Sequence, residues 1–325
     1  MELALYDPES GFYTRAGGPS RRRDYITSPS LGPLFGAVLA RALDSWWRDL
    51  GAPDEFGVIE AGAGDGSLAK SILAAAPDCG SALRYTLVER SEVLRRRHPA
   101  TVTSRAEIPA GAPAGVIVAN ELLDNLPFRL LERTGAGWQE VYVDPARRAV
   151  LKPADPEAAA EATRLAPDAP SNTRIPLQHQ AAHWLRAALT AVTRGRVVVI
   201  DYADTTPSLA TRSWTEWVRT YRANGPGGAP TQDQGQQDIT CEVAIDQLTA
   251  AVARPPDHNT TQAGFLRAHG IDDLAARAKK EWQARAHVGD LAALKHKSRI
   301  TEAAALTDPN GLGAFRVLEW VVSEP

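Results

Sequence analysis

The stretch that decides the fold is residues 56–76, FGVIEAGAGDGSLAKSILAAA. A short apolar strand around Val58 and Ile59 enters a glycine turn, and the turn enters a helix carrying Leu68, Ile72 and Leu73. In open α/β sheets a turn of this kind, at the carboxyl end of a strand, is where ligands bind. YTLVER predicts a second strand that starts at Tyr85 and ends in Glu89, and GVIVANELLDNLP a third over 116–118 that ends in polar residues. RVVVIDYAD reads as a fully buried strand and AFRVLEWVV as a last one. Strands alternating with helices predict an α/β fold with a mostly parallel sheet covered on both faces.

Outward from this core, Leu34, Phe35, Val38, Leu39, Ala42, Leu43, Trp46 and Leu50 recur at helical spacing, with Gly51 at the stop. Residues 1–30 read as loop, punctuated by Gly and Pro, with Arg21, Arg22 and Arg23 as a small basic run. FRLLER, GWQEVYV and AVLKP predict a β-meander inserted at about 128–152, and LQHQAAHWLRAALTAV a helix. DITCEVAIDQLTAAVA and TQAGFLRAHGIDDLAARA carry helical patterns. The expected organisation is an N-terminal segment over 1–50 that covers the ligand site and a core over 51–203. A substrate-side insertion or lid follows over 204–275, and a C-terminal part over 276–325 completes the sheet.

The chain has 325 residues, 44% hydrophobic and 23% charged, with net charge -3. That balance argues against general nucleic-acid binding, and no apolar run approaches a membrane span. Cys79 and Cys241 stand far apart without a Cys/His cluster, so neither a zinc site nor a disulfide framework is expected, and no metal is assigned. The first residues lack the pattern of a signal peptide, and the expected location is the cytoplasm.

The glycine turn, Glu60-Ala-Gly62-Ala-Gly64-Asp65-Gly66, suits two cofactor classes, and charge separates them. A dinucleotide places pyrophosphate at the helix N-terminus, where Glu60 and Asp65 would repel it. S-adenosylmethionine carries a positive sulfonium and amino group and no phosphate, so the acidic residues favour it. Glu89, at the end of the next strand, can accept both ribose hydroxyls, a role that dinucleotide enzymes share. The next strand ends in Asn120, Glu121, Asp124 and Asn125, and RVVVIDY ends in Asp201 and Tyr202, all at the ligand end of a parallel sheet. Asp124 and Asp201 can equally cap short helices.

Ten stretches in order, LYDPESGFY, DYITSPSLGPLFG, EAGAGDGSLAKSIL, YTLVERS, ANELLDNLPFR, VVVIDYA, VRTYR, QDITCEV, TQAGFLRAHGI and GAFRVL, resemble the MidA family of S-adenosylmethionine-dependent methyltransferases. That family includes the mitochondrial complex I assembly factor that dimethylates a protein arginine. The resemblance implies a class I methyltransferase, Rossmann-like sheet with an N-terminal helical segment and substrate-side insertions. It implies donor binding by Thr27, Ser28, Glu60, Gly62, Gly64, Gly66, Glu89 and Asn120. The chain departs from the family at Asn224, where a His is common, and at ARPPDHNT, whose prolines disfavour a central strand. The donor motifs are intact and the substrate side has drifted. The segment usual before LYDP is either absent or lies upstream of Met1.

Methyl transfer from a sulfonium is an in-line displacement that depends on alignment in a dry pocket. An arginine acceptor is a poor nucleophile while protonated and delocalised, and a carboxylate can orient its fork. Glu121 is the first candidate for that role, with Asp124 or Asp201 as a second carboxylate, while Tyr25 and Tyr202 are candidate aromatic walls for the substrate. The expected substrate is a protein or peptide, with room for a homodimer. The alternatives are a methyltransferase for a peptide or small natural product, and an assembly factor that binds the donor without turnover.

Overall fold

The computed structural model describes residues 1–14, 27–109, 115–222 and 225–323. These pack as two compact units: one from the described parts of 1–25 with Leu122–Ala187 and Asp201–Pro255, the other from the described parts of 26–121 with Ala188–Ile200 and the described parts of 256–325.

The second unit holds a seven-stranded sheet. Its strands are β1 (Phe56–Ala61), β2 (Leu83–Val88), β3 (Thr103–Arg105), β4 (Gly115–Asn120), β5 (Gly195–Asp201), β6 (His258–Thr261) and β7 (Arg316–Val322). Their spatial order is β6-β7-β5-β4-β1-β2-β3. β1 pairs in parallel with β2 and with β4, β2 with β3, and β4 with β5, while β6 runs antiparallel to β7. The chain builds outward from β1 on one side and then returns to its other side with β4. That reversal makes a switch point between β1 and β4, where the strand ends splay and a ligand can enter. The prolines before His258 agree with the edge position of β6.

The predicted first long helix forms over Leu34–Asp49 (α1) and buries Leu34, Phe35, Val38, Leu39, Leu43 and Trp46 in the core with Phe56, Val58, Leu68 and Ile72. Its first turn is closed by Glu302, whose Oε2 accepts the Leu34 N–H at 2.9 Å while Oε1 accepts the Ser298 hydroxyl at 2.9 Å. The helix after the glycine turn spans Ser67–Ala74 (α2). The C-terminal part brings Gln262–Ala268 (α3), Ile271–Arg285 (α4) and Leu291–Leu306 (α5). Of these, α5 was not expected from the sequence: it is rich in Ala, carries Lys, His, Arg and Thr through its middle, and its apolar stripe is thin.

The first unit contains the predicted meander, Arg129–Thr134, Gly137–Val143 and Ala149–Pro153, extended by a fourth strand at Arg174–Leu177. The helix Pro156–Leu165 lays Ala158 and Ala162 on Leu131, Trp138, Ile175 and Leu177. Two expectations are corrected. Residues 1–30 are not all loop, since Glu2–Tyr6 and Ser28–Leu31 are helical. The helix predicted from Asp238 starts only at Ile245, because Asp238–Cys241 pairs antiparallel with Val218–Arg222 and draws its β-branched Ile239 and Thr240 into a sheet.

Three glycines, Gly57, Gly115 and Gly195, face one another across β1, β4 and β5. A side-chain carbon on Gly115 would fall 1.8 Å from the Gly57 carbonyl oxygen, and one on Gly195 would fall 1.7 Å from that of Gly115. Gly115→Ala is therefore expected to force these strand starts apart and to cost about 2 kcal/mol or more. A melting temperature equal to the parent's would contradict that packing.

Candidate active site

Within the second unit the glycine turn leaves the carboxyl end of β1, whose parallel neighbours on either side are β2 and β4. Gly62, Gly64 and Gly66 all have positive φ, at 69°, 55° and 75°. Only glycine adopts three such angles in close succession at no steric cost, which is why the turn has this composition. A side-chain carbon on Gly66 would press on Leu87 and Pro99 at 2.9 and 3.1 Å, so Gly66 is needed for packing as well. A side-chain carbon on Gly64 would meet none of the described residues within 4 Å, so this side of the turn is open among them.

Glu89 follows β2 and grips the turn. Its Oε2 accepts the Gly64 N–H at 3.0 Å and its Oε1 accepts the Ser91 N–H at 2.8 Å. Burial raises its pKa, against the pull of these N–H donors. A carboxylate has about four acceptor positions, so these backbone bonds leave capacity for a hydroxyl.

Glu60 has a different place from the one its charge suggested. It is 4% exposed, its Oε2 accepts the Tyr85 hydroxyl at 2.8 Å, and burial lifts its pKa to about 8. Near neutral pH it is mostly protonated. The repulsion of phosphate ascribed to both Glu60 and Asp65 thus draws little on Glu60, which supports the turn from within the core.

At the end of β4, Glu121 has φ of 50°, in the left-handed region, which a long side chain adopts only where its surroundings enforce it. Its N–H is held by the Ile200 carbonyl at 2.9 Å. Its Oε1 accepts from Asn120 Nδ2 at 3.1 Å and from the Ser28 N–H at 3.3 Å. Ser28 is fully buried, and its hydroxyl donates to Gln262 Oε1 at 3.1 Å, while Gln262 Nε2 donates to the Leu306 carbonyl at 3.2 Å. Thr27 caps the same short helix, its N–H donating to Ser30 Oγ at 2.8 Å. Asn120 Oδ1 is buried and has no hydrogen-bond partner among the described residues. An orphaned acceptor is costly to bury and calls for a donor from a ligand.

In the first unit Asp201 is 1% exposed and acts as a backbone anchor. Its Oδ2 accepts the N–H groups of Leu123 and Asp124 at 3.0 and 3.2 Å, and its Oδ1 that of Tyr202 at 2.9 Å. Burial raises its pKa above the usual carboxylate range. Asp201 and Asp124 are thus brought together through main chain. Asn125 serves as a hub, taking the Tyr13 hydroxyl on Oδ1 at 3.1 Å and donating to Asp238 Oδ1 at 3.0 Å. The Arg219 guanidinium stands 5.1 Å from the centre of the Tyr202 ring. Tyr25 lies outside the described residues. Sequence reasoning missed Tyr85, Gln262 and His98, which reach the site only through the fold. Among the described residues no group of three or more His, Cys, Asp and Glu is gathered to hold a metal ion, and no helix is long and apolar enough to cross a membrane.

The profile of a family of S-adenosyl-L-methionine-dependent methyltransferases matches residues 38–260. The human mitochondrial protein arginine methyltransferase NDUFAF7 is 29% identical over 178 residues, 44% of this chain and 40% of that protein. Its Drosophila melanogaster homolog is 27% identical over 176 residues, 45% and 40% of the two chains. The match thus spans about two fifths of the length of these curated relatives. A crystal structure from Burkholderia thailandensis bound to S-adenosyl-homocysteine has 28% identity and a TM-score of 0.83, covering 98% of this chain and 86% of that one. The chain belongs to the MidA-type family of S-adenosylmethionine-dependent methyltransferases, with the α/β sheet and the cofactor of that family.

The residues present fit that cofactor. The open side of Gly64, the spare acceptor capacity of Glu89 and the orphaned Asn120 Oδ1 suit a ligand rich in hydroxyl and N–H donors. These residues would hold it.

Glu60 also sets a pH dependence. Its folded pKa of about 8 lies above its ordinary 4.5, so the neutral carboxyl contributes stability that is full below pH 4.5 and is lost as pH rises through 8. Glu60→Gln keeps an acceptor for Tyr85 and cannot ionise. Thermal melts from pH 5 to 9 should show the parent losing stability relative to this variant; a constant difference would contradict the assignment.

Proposed function

We propose that this chain transfers the methyl group of S-adenosylmethionine to a guanidinium nitrogen of an arginine in a protein substrate. The observation that carries the reading is Glu121, a carboxylate held in a left-handed backbone at the end of β4 and braced at Oε1 by Asn120 and by the Ser28 N–H. The names of the curated relatives as protein arginine methyltransferases support it.

The bound donor supplies an electrophilic methyl on its sulfonium. The chain has to hold an acceptor nitrogen in line with that methyl and keep water away. A guanidinium is charged and delocalised, so its nitrogens are weakly nucleophilic. Glu121 accepts hydrogen bonds from the fork, fixes its orientation and concentrates electron density on the nitrogen that attacks. The extra proton leaves that nitrogen after transfer, and no strong base is needed. Asp201, with three N–H groups on its oxygens, is a positioning residue that fixes the turn bearing Asp124. In the first unit the Tyr202 ring carries the Arg219 guanidinium 5.1 Å from its centre, an aromatic face of the kind a guanidinium prefers. The location we propose is the cytoplasm, where the free, buried Cys79 and Cys241 stay reduced.

The test uses methyl-labelled S-adenosylmethionine, the purified chain and an extract of its host lacking the gene. Labelled methylarginine in a discrete protein band, falling about 100-fold or more in Glu121→Gln with S-adenosyl-homocysteine affinity kept, is the expected result. Label confined to small molecules would move the acceptor to a natural product. Donor binding with no label anywhere would favour a binding role without turnover.

A further inference from the structure

We infer that His98 is a positioning residue for the methyl donor, acting through the backbone of the glycine turn. The inference rests on that turn being the donor site. His98 follows the short helix Glu92–Arg95, and its ring bridges two elements. Nε2 lies 2.9 Å from the Gly64 carbonyl oxygen, and Nδ1 lies 2.8 Å from Ser104 Oγ on β3. A carbonyl only accepts, so Nε2 carries the hydrogen. In the neutral ring Nδ1 then accepts from the Ser104 hydroxyl, and this second bond fixes both tautomer and ring orientation. Burial lowers the pKa of His98, which favours that neutral form.

The consequence lies in what Gly64 does with its two peptide groups. Its N–H goes to Glu89 and its carbonyl to His98, so side chains from two different segments hold the residue at both ends. The outer side of Gly64 meets none of the described residues within 4 Å, and glycine has the greatest freedom to leave a positive φ. The same segment braces the turn twice more. Lys70 Nζ donates to the carbonyls of Asp65 and Arg97 at 3.1 and 3.3 Å, and Pro99 packs where a side chain on Gly66 would have to go. His98 thus raises the fraction of molecules whose turn is already shaped for the donor, and apparent affinity scales with that fraction.

The experiment is calorimetric titration of the purified full chain with S-adenosyl-homocysteine. The parent should bind it, His98→Ala should bind about 3- to 10-fold more weakly, and His98→Gln, whose amide can still donate to the Gly64 carbonyl, should recover to within about twofold of the parent. Ser104→Ala, which releases the ring without touching the turn, should weaken binding by about twofold, and it carries the test should His98→Ala fail to fold. Parent-like affinity in both His98→Ala and Ser104→Ala would overturn the assignment. His98→Gln as weak as His98→Ala would overturn it too, by making the role one of ring packing. Absence of binding by the parent itself would instead overturn the donor assignment on which it rests.

Discussion

The candidate site depends on one constrained backbone: the turn between β1 and α2, in which three glycines within five residues take positive φ. Such a path has little intrinsic preference for one shape. It is fixed from outside, by Glu89 on the Gly64 N–H, His98 on the Gly64 carbonyl and the packing of Leu87 and Pro99 against Gly66. Each of these residues comes from β2 or the segment after it. The order of the sheet matters to the ligand because it sets β2 beside β1, where its carboxyl end can reach the turn.

The carboxylates divide by environment. Glu60, in the core and bonded to Tyr85, supports the turn as a mostly neutral group. Asp201 spends its oxygens on three backbone N–H groups and orders the segment after β4. Glu121 is held by a strained backbone and by donors from Asn120 and Ser28, an arrangement that fixes direction. Strain of this kind persists where surrounding structure enforces it, and it concentrates at functional positions. The Ser28–Gln262 bond carries the support further, tying the Thr27–Ser28 segment to α3.

Much of the fold was legible because it rests on local signals. The glycine turn between an apolar strand and a helix, the β-branched run of β5, and the meander with its turns each announce themselves within a few residues. What escaped depends on partners distant in sequence. Asp238–Cys241 reads as helix until Val218–Arg222 pairs with it, and α5 has too thin an apolar stripe to announce itself. At the site, Glu89, Asn120 and Glu121 were legible because strand ends are privileged positions in a parallel sheet. His98 and Tyr85 were not, since neither has a motif and each matters only through one contact made across the fold. Glu60 was legible as an acidic residue beside the turn, whereas its burial against Tyr85 depends on a strand 25 residues away.

The central proposal is a methyl donor seated on a turn already shaped to receive it. A crystal structure of the chain with S-adenosyl-homocysteine tests this directly. The account predicts ligand density over the open side of Gly64, hydroxyls on Glu89, a ligand N–H on Asn120 Oδ1, and the Glu89 and His98 bonds to Gly64 intact. Ligand bound elsewhere, or a turn rebuilt with Gly64 out of its positive φ, would contradict it.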